Sequence, residues 1–187
     1  MEERNVKLRE GLTQLHTSQV LGAVAMVLMF IPLVNIVALI MAIVGAVMAL
    51  LAMLKLNDLH PDYKTAVNLL AINVALAVIG AIVKDGLAGI VDLIQTVVMF
   101  AQTYYIVRGT NTLLEEVGRM DVAERGGTVL KLYIANMVIG MAANLLTVLL
   151  GNNGLGLALL VMIVSLVVSI AAIVYYIKYL GAAKECF

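Results

Sequence analysis

Two stretches of this chain go without a charged residue for much longer than one membrane crossing requires. Residues 17–54, between His16 and Lys55, and residues 132–177, between Lys131 and Lys178, are uncharged runs of 38 and 46 residues. As single helices rising 1.5 Å per residue they would be about 57 and 69 Å long, against a hydrocarbon core about 30 Å thick. Each run must therefore fold back on itself. Turn-forming residues lie near the middle of both: Pro32 and Asn35 in the first, Gly151-Asn152-Asn153-Gly154 in the second. A third hairpin lies between them, with halves at residues 65–83 and 87–107 divided by Lys84-Asp85-Gly86.

Composition agrees with this. The chain is 63% hydrophobic and 13% charged, with mean hydropathy +1.06, whereas a soluble domain is about 45–50% apolar and about 25% charged. That excludes a soluble enzyme, a disordered chain and a nucleic-acid binder. The expected fold is an all-α integral membrane protein, one membrane domain over residues 1–187. Six transmembrane helices are expected near 18–31, 34–54, 65–83, 87–107, 129–150 and 155–177. They leave no room for a separate soluble domain.

Orientation follows from the basic residues. Arg4, Lys7, Arg9, Lys55, Lys64, Arg108, Arg119, Arg125, Lys131, Lys178 and Lys184 fall on the side of the termini, and Lys84 alone on the other. The positive-inside rule then puts both termini in the cytoplasm of a multi-pass cell-membrane protein. Tyr63, Tyr104, Tyr105, Tyr133, Tyr175, Tyr176 and Tyr179 all fall at cytoplasmic span ends, where a ring can sit in lipid with its hydroxyl among headgroups. Their position alone accounts for them.

The N-terminus does not resemble a cleaved signal, because its apolar run starts late and follows mixed charge. Within residues 1–17, Leu8, Leu12 and Leu15 share a helical face, which suggests an interfacial anchoring helix. Cys186 is the only cysteine, so no internal disulfide can form. Its penultimate position also excludes a prenylation box. Between the fourth and fifth spans, residues 108–127 form the largest cytoplasmic loop. Thr112-x-x-Glu115 and Asp121-x-x-Glu124 have capping-box spacing there, which predicts short surface helices. The loop's mixed charges read as a solvated face that could also dock a partner.

The hairpins carry traces of a repeat. An offset of 68 residues aligns Asn68 with Asn136, Gly86 with Gly154 and Leu87 with Leu155, and a shift of three more aligns Tyr104-Tyr105-Ile106 with Tyr175-Tyr176-Ile177. Two-helix units share one orientation, so three of them could surround a pseudo-threefold axis along the membrane normal. The alternative is that lipid-facing hairpins align through composition alone.

The segments Val20-Leu21-Gly22-Ala23, Phe30-Ile31-Pro32-Leu33-Val34, Leu54-Lys55-Leu56-Asn57-Asp58 and Tyr63-Lys64-Thr65-Ala66 resemble a group of prokaryotic multi-span membrane proteins of unknown function, DUF996-like. The resemblance covers roughly the first 85 residues, with an echo in residues 104–118. It implies the hairpin architecture and a prokaryotic origin, and it carries no activity over. In scale the chain also resembles the substrate-capture subunits of energy-coupling-factor vitamin transporters. It departs from their Ala-x-x-x-Ala patch, since Val27 follows Ala23, and it has no tryptophan.

Catalytic chemistry has little to draw on. His16 and His60 are the only histidines, and there is no H-E-x-x-H, cysteine pair, nucleophile elbow or phosphate-binding glycine loop. The expectation is no enzyme, with no catalytic, metal or cofactor residues. The informative residues are polar ones inside the spans. Asp92, Gln95, Met99 and Gln102 form a stripe at helical spacing, and Asp92 is the only acid well inside a span. Asn136, Gly140, Asn144 and Thr147 share a face of the fifth span, and Ser165, Ser169 and Tyr176 a face of the sixth. Asn68 and Asn73 lie on the third.

These faces admit two readings. In one, Asp92, Gln95, Gln102, Asn136, Asn144 and Ser169 line the pathway of a small-solute or ion carrier, channel or solute-binding subunit, with Asp92 as cation ligand, proton acceptor or counter-ion. In the other they hydrogen-bond across helices, beside small-residue contacts at Ala42-x-x-x-Ala46, Gly45-x-x-x-Ala49 and Ala77-x-x-x-Ala81. The protein would then be a non-transporting membrane partner: an assembly factor, immunity protein or scaffold. Either way the partners are the lipid bilayer and a second copy or another membrane subunit, and no nucleic acid.

Overall fold

The computed structural model describes residues 2–29, 31–83, 86–150 and 155–187; the side chains of residues 33, 81, 86–88, 143–150, 155, 158 and 162 lie outside that description. Among the described residues there are six α-helices: α1 (Glu2–Leu28), α2 (Asn35–Leu56), α3 (Pro61–Ile82), α4 (Gly86–Glu116), α5 (Met120–Leu150) and α6 (Leu155–Lys184). There is no strand among the described residues. Among the described residues, four helices are long and apolar enough to cross a membrane: α2, α3 over Pro61–Gly80, α4 from Gly89 and α6 from Leu159. α1 is weakened by the charges of its first half, and only nine of its residues, Val20 to Leu28, lie beyond Gln19.

The helix ends follow local chemistry. Pro32–Val34 form one 3-10 turn between α1 and α2, and the Asn35 amide, oriented to donate, reaches the carbonyls of Met29 and Ile31 at 3.0 Å. His60 caps α3, its Nδ1 accepting from Asp62 N at 3.2 Å, with Pro61 at the first helical position. Two residues past the end of α4, Gly118 has a φ of 75°, which is left-handed and suits a residue without Cβ.

Two regions differ from the sequence expectation. Where the sequence suggests a loop over 108–127, α4 runs on to Glu116 and α5 begins at Met120, leaving a three-residue turn. Of residues 1–17, expected as a separate interfacial helix, residues 2–17 are the first part of α1. Their leucine stripe has a better partner than lipid: Leu8, Leu12 and Leu15 are fully buried in the bundle.

Consecutive helices pack on one another, and α1 packs on α6, which closes a ring of six. The most extensive packing lies within the three hairpins, and the least joins α2 to α3. Gly45 lets the first hairpin close, since a Cβ there would sit 3.2 Å from the Ser18 carbonyl oxygen. The buried core lies at one end of the ring, where both termini and the Asn57–His60 and Val117–Arg119 turns are found. It comprises Leu8, Leu12 and Leu15 of α1, Met53 and Leu56 of α2, Tyr63 of α3, Val107, Leu113 and Leu114 of α4, Val122 and Val129 of α5, and Tyr176, Tyr179 and Leu180 of α6. Helices of 31 residues are about 46 Å long, so about 15 Å of α4 and α5 exceeds a hydrocarbon core. Toward the other end the outward faces are apolar and exposed, as at Ile36, Ile40, Ile43, Val78 and Ile82. Such a surface belongs in lipid.

Candidate functional site: the central cavity

A cavity of about 410 Å³ opens inside the ring where the terminal core ends. Leu15, Met53, Ile106 and Tyr176 belong both to the core and to the cavity lining, so the packed end supplies its floor. Above them α4 contributes Thr96, Met99, Phe100, Gln102 and Thr103, α1 Gln19, α2 Ala49, and α5 Tyr133, Asn136 and Met137. From Ile106 to Thr96 is ten residues, about 15 Å of depth along α4.

The polar groups are held in different ways. Asn136 Oδ1 accepts hydrogen bonds from Ser169 Oγ at 2.8 Å and Ser165 Oγ at 3.3 Å, which join α5 to α6. This commits the oxygen of a residue that also lines the cavity. Tyr133 and Tyr176 meet edge to face, ring centroids 5.9 Å apart at 83°. Tyr176 is 2% exposed, and its hydroxyl has no hydrogen-bond partner among the described residues. A buried unpaired hydroxyl costs about 1–3 kcal/mol, a cost that a ligand or water in the cavity would offset. None of the lining residues is charged.

The sequence-predicted residues divide. Gln102 and Asn136 line the cavity, and Ser169 stands behind Asn136 as its donor. Gln95 and Asp92 are not in the lining. Asp92 lies one turn beyond Thr96 on the same helix face, and it is exposed. Its backbone carbonyl accepts from Thr96 Oγ1 at 2.8 Å. The side chain of Asn144 is outside the described residues. Asn73 is on α3, which contributes nothing to the lining. Sequence reasoning passed over Gln19, Thr96, Thr103, Tyr133 and Tyr176. Gln19 was legible as a lone amide in an uncharged run, and Tyr176 as a member of the Ser165 and Ser169 face.

The tyrosines also depart from an interfacial belt. Tyr63, Tyr176 and Tyr179 are fully buried, and only Tyr104 and Tyr175 are largely exposed. Tyr63 and Thr110 share a hydroxyl hydrogen bond of 2.8 Å, and Tyr179 donates to Asn111 Oδ1 at 2.7 Å. Both tie the ring together beneath the cavity. Outside the spans, burial and the nearby Lys184 ammonium hold His16 below its ordinary pKa. Burial raises the Cys186 thiol.

No protein-family model, curated protein or solved structure matches the chain.

Proposed function

We propose that the protein is a small-solute carrier, channel or membrane solute-binding subunit, and that the central cavity is its binding site. The observation that carries this reading is a closed helix ring around a space lined by polar groups: Asn136, Gln19, Gln102 and the Tyr176 hydroxyl, which has no partner among the described residues. About 410 Å³ falls within the usual range of ligand pockets, about 300–1,000 Å³. An uncharged lining, with Phe100, Tyr133, Met99 and Met137 between the amides, suits a neutral amphipathic molecule over an ion. In this reading all six helices cross the membrane as three hairpins around a pseudo-threefold axis, and the terminal end with its eleven cations faces the cytoplasm. The hairpin resemblance of the first 85 residues to DUF996-like proteins fits the same architecture.

The test is ligand-induced thermal stabilisation of the purified protein against neutral, cationic and anionic small solutes. Neutral amphipathic compounds should stabilise the wild type, and Gln102→Leu with Asn136→Leu should abolish the shift. A shift unchanged in that variant, or no shift across the panel, overturns the reading. The second reading, a non-transporting partner protein, is favoured by the Asn136–Ser169 and Asn136–Ser165 bonds, which are helix packing. It expects the double variant to lose assembly, with no solute response in either form.

A further inference from the structure

At the terminal end a second pocket, of about 280 Å³, opens between α5 and α6. Arg125 and Thr128 line it from α5, and Tyr175, Lys178 and Tyr179 from α6. The spacings of three and four residues put each set on one helix face. Arg4, Lys55, Arg108 and Arg119 at this end are each within ion-pair distance of a carboxylate. Arg125 and Lys178 have no such partner among the described residues, and no acid lines the pocket. The Tyr179 hydroxyl is committed to Asn111 and to the Val107 carbonyl. The exposed hydroxyls of Tyr175 and Thr128 are left as donors beside two cations. Farther from the termini, the outward surfaces become apolar and exposed at Ile134 and Val138 of α5 and at Val167, Ile170 and Val174 of α6.

A cationic, hydroxyl-rich pocket continuous with an apolar track matches the two parts of a phospholipid. We propose that Arg125, Lys178, Tyr175 and Thr128 form a headgroup site for an anionic glycerophospholipid, with its acyl chains along the outer faces of α5 and α6. Basic pockets between spanning helices are a recurrent means of holding such headgroups. The Arg125 guanidinium suits bidentate contact with a phosphodiester, and Lys178 adds a point charge. The site is separate from the central cavity and rests only on the protein being in a membrane.

Native mass spectrometry of the delipidated protein, titrated with phosphatidylglycerol and with phosphatidylcholine, tests the site. Phosphatidylglycerol should bind at least about tenfold more tightly. Arg125→Gln with Lys178→Gln should remove about fivefold per cation, about thirtyfold for the pair, and so abolish the preference. Arg125→Lys with Lys178→Arg should keep most of it. Equal binding of the two lipids by the wild type overturns the proposal and needs no folded variant. So does an unchanged preference in the neutral pair. Displacement of phosphatidylglycerol by soluble glycerol phosphate at millimolar concentration would instead make this a small-anion site, and that too overturns it.

Discussion

The two ends of the helix ring are held together differently. At the terminal end, Leu8, Leu12, Met53, Leu56, Leu114 and Leu180 are closed off from solvent, and tyrosine hydroxyls bridge the helices through Thr110 and Asn111. At the far end, Ile36 is 75% and Ile82 73% exposed. The first arrangement is that of a water-soluble core, stabilised by removing apolar surface from water at about 25 cal/mol per Å². The second gains nothing from helix-to-helix burial in lipid, where tails are as apolar as leucine, and depends on small-residue packing such as Gly45 against Ser18. The cavity lies between the two, on a floor made rigid by the first.

The sharpest way to break this comparison is a matched pair of truncations. Leu12→Ala should cost about 2–5 kcal/mol, because Leu12 is fully buried. Ile43→Ala, on an exposed apolar face, should stay within about 0.5 kcal/mol. Denaturation in one detergent checks both, and equal costs would remove the distinction between the ends.

Next in size is Gly126→Ala. A Cβ there would meet Asn111 Oδ1 at 2.5 Å and Val107 Cγ1 at 2.9 Å, and Asn111 is held in place by Tyr179. Overpacking of this kind costs about 1–3 kcal/mol, readable as a lowered melting temperature.

Two hydroxyl deletions on α6 should then differ. Tyr179→Phe removes a bond that satisfies Asn111 and should cost about 1–1.5 kcal/mol. Tyr176→Phe removes a hydroxyl with no partner among the described residues and should be neutral or slightly stabilising, while weakening any cavity ligand. Equal losses in the two would mean that Tyr176 has a structural partner.

The smallest effect concerns pH. His16 is held below its ordinary pKa of 6.5 by burial and by Lys184. The unfolded chain therefore binds the proton more readily than the folded one, so stability should fall as pH drops through and below 6.5. His16→Gln should flatten that dependence in melts taken between pH 7 and pH 5.

What the sequence made legible follows from the same contrast. Long uncharged runs interrupted by Pro32 and Asn35 define hairpins, because a bilayer limits the length of a span. Helix faces were harder to assign. In lipid both inner and outer faces are apolar, so periodicity does not separate Ile106, which is buried, from Val97, which is exposed. Polar residues were the remaining guide, and they succeeded where a group needs a neighbour, as at Asn136, Ser165 and Ser169. Asp92 drew attention through the cost of its charge; it is exposed one turn beyond Thr96, just outside the cavity lining. Tyr63 and Tyr179 fit an interfacial belt by position. Only tertiary packing shows that they turn inward, where the ends of the helices enclose the buried core.

Aqueous access to the cavity can be measured directly. In a Cys186→Ser background, Gln102→Cys and Ile43→Cys would be treated with a membrane-impermeant thiol reagent in sealed vesicles of each orientation. Rapid labelling of Gln102→Cys from the side opposite the termini, away from the packed floor, with Ile43→Cys protected, is the expected result. Equal protection of the two positions would mean that the centre of the ring is dry, and would contradict a solute-binding cavity.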